Sequence, residues 1–293
     1  MIHINEIPLD FEPRKKILPK LRDCPKGYRN PEMSEFDSAF LCGLLKIHRP
    51  KKILEVGVAN GATTAIILQT LEDIGEPYEM YSVDLSENWY RDKTKSTATG
   101  FLATFAKENN LFNTPPQLAL CGKHKFYLGK FLPQSIDEIG GDIDFVVLDT
   151  THQLPGEVLD FPVALPYLKD GAIVIVHDVA LNHYTQSPRG INQYATTVLL
   201  STVTAKEKFL NLEPADENHP VCYPNIAAFK IDNNTRLHIE NVFLGLIITW
   251  RYLLNDEAVE IYRDFYRRHY PADLLEIFNE AVRLNTNTHN KFK

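Results

Sequence analysis

Four titratable side chains follow two apolar runs of the sequence in short, distinctive patterns. Asp149 and His152 follow the run 143–148 as D-x-x-H, and His177 and Asp178 follow the run 172–176 as H-D. If the two runs are neighbouring parallel strands, about 4.8 Å apart, their carboxyl ends bring Asp149 and Asp178 together. Carboxylates so close repel, so one is protonated, a cation lies between them, or His152 is charged.

These side chains are suited to acid–base or metal chemistry. His152 is a candidate general base, and Asp149 and Asp178 are candidate ligands for Mg²⁺ or Mn²⁺, with His177 or Asn182 as a further ligand. Either a base or a bound cation helps a hydroxyl group to lose its proton. Zn²⁺ is disfavoured because no cysteine accompanies the histidines. For His177 we expect a packing role, since the last residue of a buried strand usually packs into the sheet.

A glycine-rich turn follows an earlier apolar run. The run 52–56 contains Glu55 and leads into Gly57 and Gly61, which gives the pattern E-x-G-x-x-x-G, and Thr63 follows. Glycine permits a tight turn and a close approach of a ligand to the backbone. Thr63 can satisfy free amides at the start of a helix. The pattern predicts a nucleotide-like cofactor outside the carboxyl ends of the strands.

The turn lacks the sequence features of two other types of cofactor-binding site. Ala59 and Ala62 occupy the second and third glycine positions of a dinucleotide fingerprint, and no Lys-Ser/Thr pair completes a phosphate-binding loop. Asp84 follows the next apolar run, 78–83. One carboxylate at such a position can accept hydrogen bonds from both hydroxyls of a ribose.

The order of these patterns resembles that of the class I S-adenosylmethionine-dependent methyltransferases. The glycine turn resembles their motif I. The D-x-x-H and H-D patterns resemble a subfamily of small-molecule and sugar O-methyltransferases and proteins labelled cephalosporin hydroxylases. The resemblance covers residues 34–180. It implies that adenine lies near Gly122, at the end of the run 117–121, and that the cofactor contacts are Glu55, Gly57, Gly61, Thr63, Asp84, Gly122 and Asp149.

The resemblance implies methylation of a hydroxyl group on a small molecule or sugar. S-adenosylmethionine is then the cofactor, with Mg²⁺ or Mn²⁺ as a further candidate, and the catalytic residues are His152, Asp149 and Asp178. Two other functions stay open. One is an NAD-dependent oxidoreductase, against which Ala59 and Ala62 count. The other is a non-catalytic regulatory protein that binds a cofactor, against which the catalytic set counts.

The apolar runs predict an α/β fold that positions these residues. They are rich in β-branched residues, nearly continuous, and separated by helical patterns, which is typical of a parallel sheet covered on both faces. We therefore expect a doubly wound, mostly parallel, Rossmann-like sheet, for which the resemblance implies seven strands. The runs 208–212 and 225–231 would complete it as an antiparallel pair. Helices are expected at 63–72, 100–109, 158–168 and 193–203.

The chain is expected to divide into three parts. Residues 1–33, rich in proline and charge, form an irregular N-terminal arm, and residues 34–235 form the methyltransferase domain. Residues 236–293 form a helical C-terminal extension. Aromatic residues from Trp250 to Tyr270 recur there at helical spacing. Such a stripe indicates helices that cap the domain and offer a surface for a homodimer.

Composition excludes several classes of partner. The 38 acidic residues outnumber the 31 basic ones, which gives a formal charge of −7 and disfavours duplex nucleic acid and anionic membranes. No apolar run approaches the roughly 18 residues of a membrane span. The scattered cysteines and the lack of a secretory leader predict a cytoplasmic protein with reduced thiols.

Overall fold

The computed structural model describes residues 1–21, 31–87, 122–184, 193–214 and 223–291. The strands are β1 Ile2–Ile4, β2 Lys52–Val56, β3 Tyr78–Asp84, β4 Gly122–Leu128, β5 Ile143–Leu148, β6 Leu168–His177, β7 Lys208–Leu210 and β8 Ile226–Lys230. The helices are α1 Glu12–Leu21, α2 Glu35–His48, α3 Ala62–Ile74, α4 Ile136–Ile139, α5 Gly156–Ala164, α6 Leu181–Tyr184, α7 Ala195–Thr202, α8 Asn233–Leu237, α9 Glu240–Gly245, α10 Asp256–His269 and α11 Ala272–Lys291. Leu132–Gln134 and Leu165–Tyr167 are 3₁₀ turns.

The strands form one sheet in the order β1-β7-β8-β6-β5-β2-β3-β4. The five strands from β6 to β4 in this order are parallel to one another. β8 is antiparallel to β6, and β7 is antiparallel to β8. The prediction of a doubly wound, mostly parallel sheet completed by an antiparallel pair is confirmed.

The two faces of the sheet pack against different helices. Along β2, Ile53 lies in the core that α2 and α3 cover, whereas Leu54 and Val56 lie in the core shared with α5 and α10. Such alternation is what a strand with apolar neighbours on both faces requires. The sheet is therefore buried on both sides, and its carboxyl ends open toward the site.

The sheet has eight strands instead of the expected seven. The additional strand, β1, comes from the N-terminal segment and pairs in parallel with β7. Three residues are too few to show a hydrophobic period, so the proline-rich composition of the segment concealed it. The expectation that residues 1–33 are irregular is wrong, because this segment contains helix α1 as well as β1. The division of the chain after residues 33 and 235 stays a prediction.

Strand β4 departs from the expected position. The expected strand 117–121 and the expected helix 100–109 lie outside the described residues, and β4 begins at Gly122. Lys123 and Lys125 on this strand are exposed, and alternate with partly buried His124 and Phe126. Edge strands commonly carry such charges, which interrupt the continuous apolar pattern used to locate the other strands.

The C-terminal helices pack on the domain itself. Phe265, Tyr266 and Phe278 have no exposed surface. The hydroxyl of Tyr266 donates to the carbonyl of Leu159 at 2.8 Å, which ties α10 to α5. The aromatic stripe is thus part of the core, and a homodimer through the outer surface of these helices stays a prediction. In the described part of the chain, no helix is long and apolar enough to cross a membrane.

Candidate active site

A cavity of about 1290 Å³ lies at the carboxyl ends of the parallel strands. Its lining includes the turn after β2, the end of β3, and the residues that follow β5 and β6. The C-terminal segment 252–262 closes one side. The chain leaves the sheet at each strand end, so side chains from distant parts of the sequence converge there.

The glycine turn after β2 is shaped by close packing and by left-handed backbone. Gly57 has a φ of 98°, and a Cβ atom there would lie 1.9 Å from the carbonyl oxygen of Asp149. Gly61 has a φ of 77° and caps the start of α3. Gly57 lines the cavity, as does Thr63, whereas Gly61 does not. The predicted cofactor contact of Gly61 is therefore not seen, and this glycine serves the turn.

Asp84 joins the end of β3 to the glycine turn. Its Oδ2 atom accepts the amides of Val58 and Ala59 at 2.8 and 3.1 Å, and its Oδ1 atom accepts the amide of Ser86 at 2.8 Å. The side chain lines the cavity, where the sequence places it. Three of the four lone-pair sites of this carboxylate are thus used, and Oδ1 keeps one with which it can accept a hydrogen bond from a hydroxyl group.

Glu55 does not reach the cavity, and its predicted contact with a cofactor is wrong. It is fully buried on the other face of β2, where it accepts the hydroxyls of Thr64 and Ser82 at 2.8 and 2.6 Å. The reason is the alternation of side chains along a strand, which turns Val56 toward the cavity side and Glu55 toward α3. Burial raises the pKa of Glu55 to about 8.

Gly122 does not line the cavity, so the expected adenine contact at this residue is not seen. It is the first residue of β4 and pairs with Tyr78, the first residue of β3. Both lie at the amino edge of the sheet, opposite the cavity. A Cβ atom on Gly122 would lie 2.4 Å from the ring of Tyr78, so close packing explains this glycine.

The structure brings the predicted catalytic residues together. The Nε2 atom of His152 lies 3.2 Å from Oδ2 of Asp178 and 3.7 Å from Oδ1 of Asp149. His152 and Asp178 have φ values of 57° and 58°, a backbone region that non-glycine residues seldom adopt. Both residues line the cavity, and backbone of this kind is concentrated at functional sites.

His177 belongs to this cluster, so the expectation that it only packs into the sheet is wrong. Its Nδ1 atom lies 3.0 Å from Asp149, and its Nε2 atom lies 3.2 Å from Asp37 on α2. The amide of Asn225 donates to Asp37 at 3.0 Å and to Asp178 at 3.1 Å. His177 therefore links the two ends of a continuous polar network.

Three residues of the network were not identified from the sequence. Asp37 has the position of an ordinary acid in the first turn of a helix, whose start is capped by the hydroxyl of Ser34. Asn225 only precedes β8. Glu157 follows the D-x-x-H pattern and accepts the amides of Thr150 and His152 at 3.0 and 2.9 Å. Only Glu157 lies near a recognisable pattern.

Opposite charges face one another within the cluster. Burial alone would lower the pKa of His152, but the carboxylates of Asp178, Glu157 and Asp149 raise it to about 9. Burial opposes charge in the same way at His177, and Asp178, Asp149 and Asp37 raise its pKa well above its usual value. Both imidazoles are therefore protonated near neutral pH, and their positive charges reduce the repulsion between the carboxylates.

The cluster also has a donor set that fits a divalent cation. Asp149, His152 and Asp178 each offer one ligand atom, and these atoms lie within 4.8 Å of one another. Two carboxylates with one imidazole suit Mn²⁺ better than Mg²⁺. A cation would have to displace the proton from His152. Asn182, a suggested further ligand, does not line the cavity and instead accepts the hydroxyl of Thr197 at 3.5 Å.

Comparison with known proteins agrees with the fold and the patterns. Residues 54–179 match the family whose model is described as a methyltransferase domain. No curated protein matches the chain.

Solved structures have a similar fold at low sequence identity. A protein of Klebsiella pneumoniae provisionally assigned as an O-methyltransferase is 15% identical, with a TM-score of 0.50 over 78% of this chain and 92% of that chain. The Bacillus cereus O-methyltransferase in complex with S-adenosylhomocysteine is 18% identical, with a TM-score of 0.48 over 78% and 94%. TomG of Streptomyces achromogenes, an O-methyltransferase of tomaymycin synthesis in complex with S-adenosylmethionine, is 18% identical, with a TM-score of 0.48 over 78% and 93%.

Proposed function

We propose that this chain, whose residues 54–179 match a methyltransferase domain, is a class I methyltransferase that methylates a hydroxyl group of a small molecule or sugar. S-adenosylmethionine would supply the electrophilic methyl group. One observation carries the proposal: a single cavity joins the glycine turn and Asp84 to His152 and its carboxylates. The residues of this chain then have two tasks, which are to hold the two substrates in line and to receive a proton.

The β2–β3 side of the cavity suits the cofactor. Asp84 lies at the end of β3, where its Oδ1 atom keeps a lone pair that can accept a hydrogen bond from a ribose hydroxyl. Gly57 lines the cavity, and its lack of a side chain lets the turn pack against the carbonyl group of Asp149, which brings the ends of β2 and β5 together beside the ligand. Asp149 follows the adjacent strand β5 and carries the negative charge that a sulfonium group favours.

The opposite side of the cavity suits a polar acceptor. Its lining there includes Ser34 and Asp37 from the start of α2, Asp178 after β6, Gln193, and Asn225 before β8. These groups both donate and accept hydrogen bonds. An acceptor with several hydroxyl groups would find partners for them on this side, and His152 lies between it and the cofactor side.

His152 is the proposed general base. It can accept a proton only in its neutral form, and the surrounding carboxylates raise its pKa to about 9. We therefore expect the rate to rise with pH toward about 9, because the neutral fraction of His152 increases over that range. Asp149 and Asp178 would orient the imidazole and stabilise its charge once the proton has moved.

Turnover measurements test this role of His152. The protein would be incubated with S-adenosylmethionine and a panel of phenols, polyols and sugars, and the release of S-adenosylhomocysteine would be followed. His152→Asn suits the left-handed backbone there. It should lower kcat about 10²-fold or more and leave S-adenosylhomocysteine binding intact. Unchanged turnover in this variant would contradict the assignment.

A divalent cation held by Asp149, His152 and Asp178 is the other means of activating the acceptor hydroxyl. Turnover with and without EDTA separates the two. Full activity in EDTA, with no cation titratable into the complex with S-adenosylhomocysteine, supports His152 as the base. Loss of activity that Mn²⁺ or Mg²⁺ restores would assign the three residues to a metal instead.

A further inference from the structure

A third region of the cavity lies away from both the glycine turn and the polar acceptor side. We call it the apolar lobe, and its walls are Phe131, Leu132, Leu159, Leu254, Ala258 and Tyr262. Three separate elements provide these walls: the 3₁₀ turn after β4, helix α5, and the C-terminal segment 254–262, which includes the start of α10. The rings of Phe131 and Tyr262 meet edge to face, with centroids 5.8 Å apart. Such a lobe suits a flat group with apolar faces.

One carboxyl group lies on the wall of the apolar lobe. Asp160 lines the cavity and is only 7% exposed, and its Oδ1 atom accepts the hydroxyl of Tyr262 at 2.7 Å. Among the described residues, Tyr262 is the hydrogen-bond donor to this carboxyl group. Burial raises the pKa of Asp160 to about 7. A carboxyl group in apolar surroundings costs free energy unless it has partners, so a ligand that supplies a further donor would bind favourably.

The position of the lobe indicates which part of the cofactor fills it. β4 pairs with β3 and ends beside Asp84, and the chain then continues directly into Phe131. A ribose on Asp84 therefore lies next to the entrance of the lobe. The sulfonium group must point the other way, toward Asp149 and His152. The group that remains on the ribose is adenine, which has two apolar faces and an exocyclic amine on its edge.

We propose that the C-terminal extension completes the adenine site, and that Asp160 accepts a hydrogen bond from the exocyclic amine. Leu254, Ala258 and Tyr262 enclose the base from one side, and Leu132 and Leu159 enclose it from the other. This inference rests on the proposed function. It assigns the choice of the purine base to Asp160 on α5 and to a segment outside the residues that match the methyltransferase family.

Calorimetry with two ligands, at about pH 8.5 where the Asp160 carboxyl group is ionised, tests the proposal. S-inosylhomocysteine differs from S-adenosylhomocysteine in having a carbonyl oxygen where adenine has its amine. Wild-type protein should bind the adenine compound roughly 10- to 100-fold more tightly, as expected for a hydrogen bond to a charged group. Asp160→Asn keeps the shape of the side chain and can donate to the carbonyl, so the preference should fall to within about threefold.

A matched variant distinguishes base recognition from general weakening. Asp84→Asn should weaken the binding of both ligands by the same factor, because the ribose is the same in both. The ratio of their two affinities should therefore stay as in wild type. If wild-type protein binds both compounds equally, or if Asp160→Asn leaves their ratio unchanged, the adenine site is refuted while the proposed function stands. If wild-type protein binds neither compound, both proposals are refuted.

A second substitution tests what occupies the lobe. Ala258→Leu narrows it, and the loss of S-adenosylhomocysteine affinity should be at least tenfold, with the melting temperature checked as a control for folding. If the lobe held the acceptor instead, this variant would keep its affinity for S-adenosylhomocysteine and show a raised KM for the acceptor. That outcome would overturn the proposal.

Discussion

At the scale of a single residue, Glu55 shows that an acidic residue within a cofactor-binding sequence pattern can have a structural role instead. It was expected to contact the cofactor, but the period of a strand turns it to the opposite face, where two hydroxyls donate to it. The cluster at His152 shows the converse. Asp149 and Asp178 were predicted because each follows a strand directly, and the direction of a side chain at a strand end depends less on strand register.

The raised pKa of Glu55 predicts how stability changes with pH. The unfolded chain releases this proton near pH 4.3, whereas the folded protein retains it to about pH 8. The stabilising contribution is thus complete below the unfolded pKa and is lost as the pH rises through 8. Glu55→Gln removes this dependence. Between pH 4 and 9, wild type should lose on the order of 5 kcal/mol relative to the variant.

Urea unfolding at a series of pH values measures this difference. Other titrating groups act equally on both proteins, so the comparison isolates Glu55. Parallel curves for wild type and Glu55→Gln would show that the buried carboxyl group does not retain its proton.

At the scale of secondary structure, sequence patterns located most of the elements. β2, β3, β5 and β6 were found because continuous β-branched runs are characteristic of buried parallel strands. β4 was missed because its charged edge residues interrupt the apolar pattern, and the strand expected at 117–121 lies outside the described residues. β1 was missed because three residues carry no period. The helix at 195–202 and the antiparallel pair were found, since they lie between clear turn signals.

Two glycines with positive φ, Gly57 before α3 and Gly75 at its end, are expected to differ strongly in how much stability is lost when each is replaced by alanine. Gly57→Ala forces a Cβ atom to 1.9 Å from the carbonyl oxygen of Asp149, so either β2 or β5 must shift. We expect a loss of about 3 kcal/mol or more in the free energy of unfolding. Gly75 also has positive φ, at 74°, but nothing lies within 4 Å of its added Cβ atom. Gly75→Ala should therefore cost only the backbone strain, about 1–2 kcal/mol.

Urea denaturation of both variants provides the measurement. The two substitutions add the same methyl group to a left-handed residue, so Gly75→Ala is the control for strain. Equal losses of unfolding free energy in the two variants would mean that Gly57 does not pack closely against the carbonyl oxygen of Asp149.

At the scale of the whole molecule, the candidate site depends on contacts that no short pattern reveals. Asp37 and Asn225 lie far apart in the sequence and meet only because α2 and β8 flank β6. The apolar lobe likewise requires the C-terminal helices, whose aromatic stripe was correctly expected to cap the domain. What the stripe could not indicate is that Tyr262 reaches the cavity, because that depends on how α10 crosses α5.

The buried position of the C-terminal helices predicts that they contribute strongly to stability. Phe278 has no exposed surface and contacts the ring of Tyr266, with centroids 5.1 Å apart. Phe278→Ala should lower the free energy of unfolding by about 3–5 kcal/mol. Leu244, which is 43% exposed, is the control, and Leu244→Ala should change stability by less than about 1 kcal/mol. Similar small effects in both variants would show that the extension folds apart from the domain.

Calorimetric titration of the wild-type protein with S-adenosylhomocysteine, and separately with NAD, tests the central claim most directly. The cavity that joins Gly57 and Asp84 to Asp149 and His152 predicts saturable binding of S-adenosylhomocysteine at one site per chain. NAD should not bind, because Ala59 and Ala62 replace the glycines that a pyrophosphate requires. Asp84→Asn should reduce the binding free energy of S-adenosylhomocysteine by about 1.5–3 kcal/mol. Binding of NAD without binding of S-adenosylhomocysteine would contradict the account.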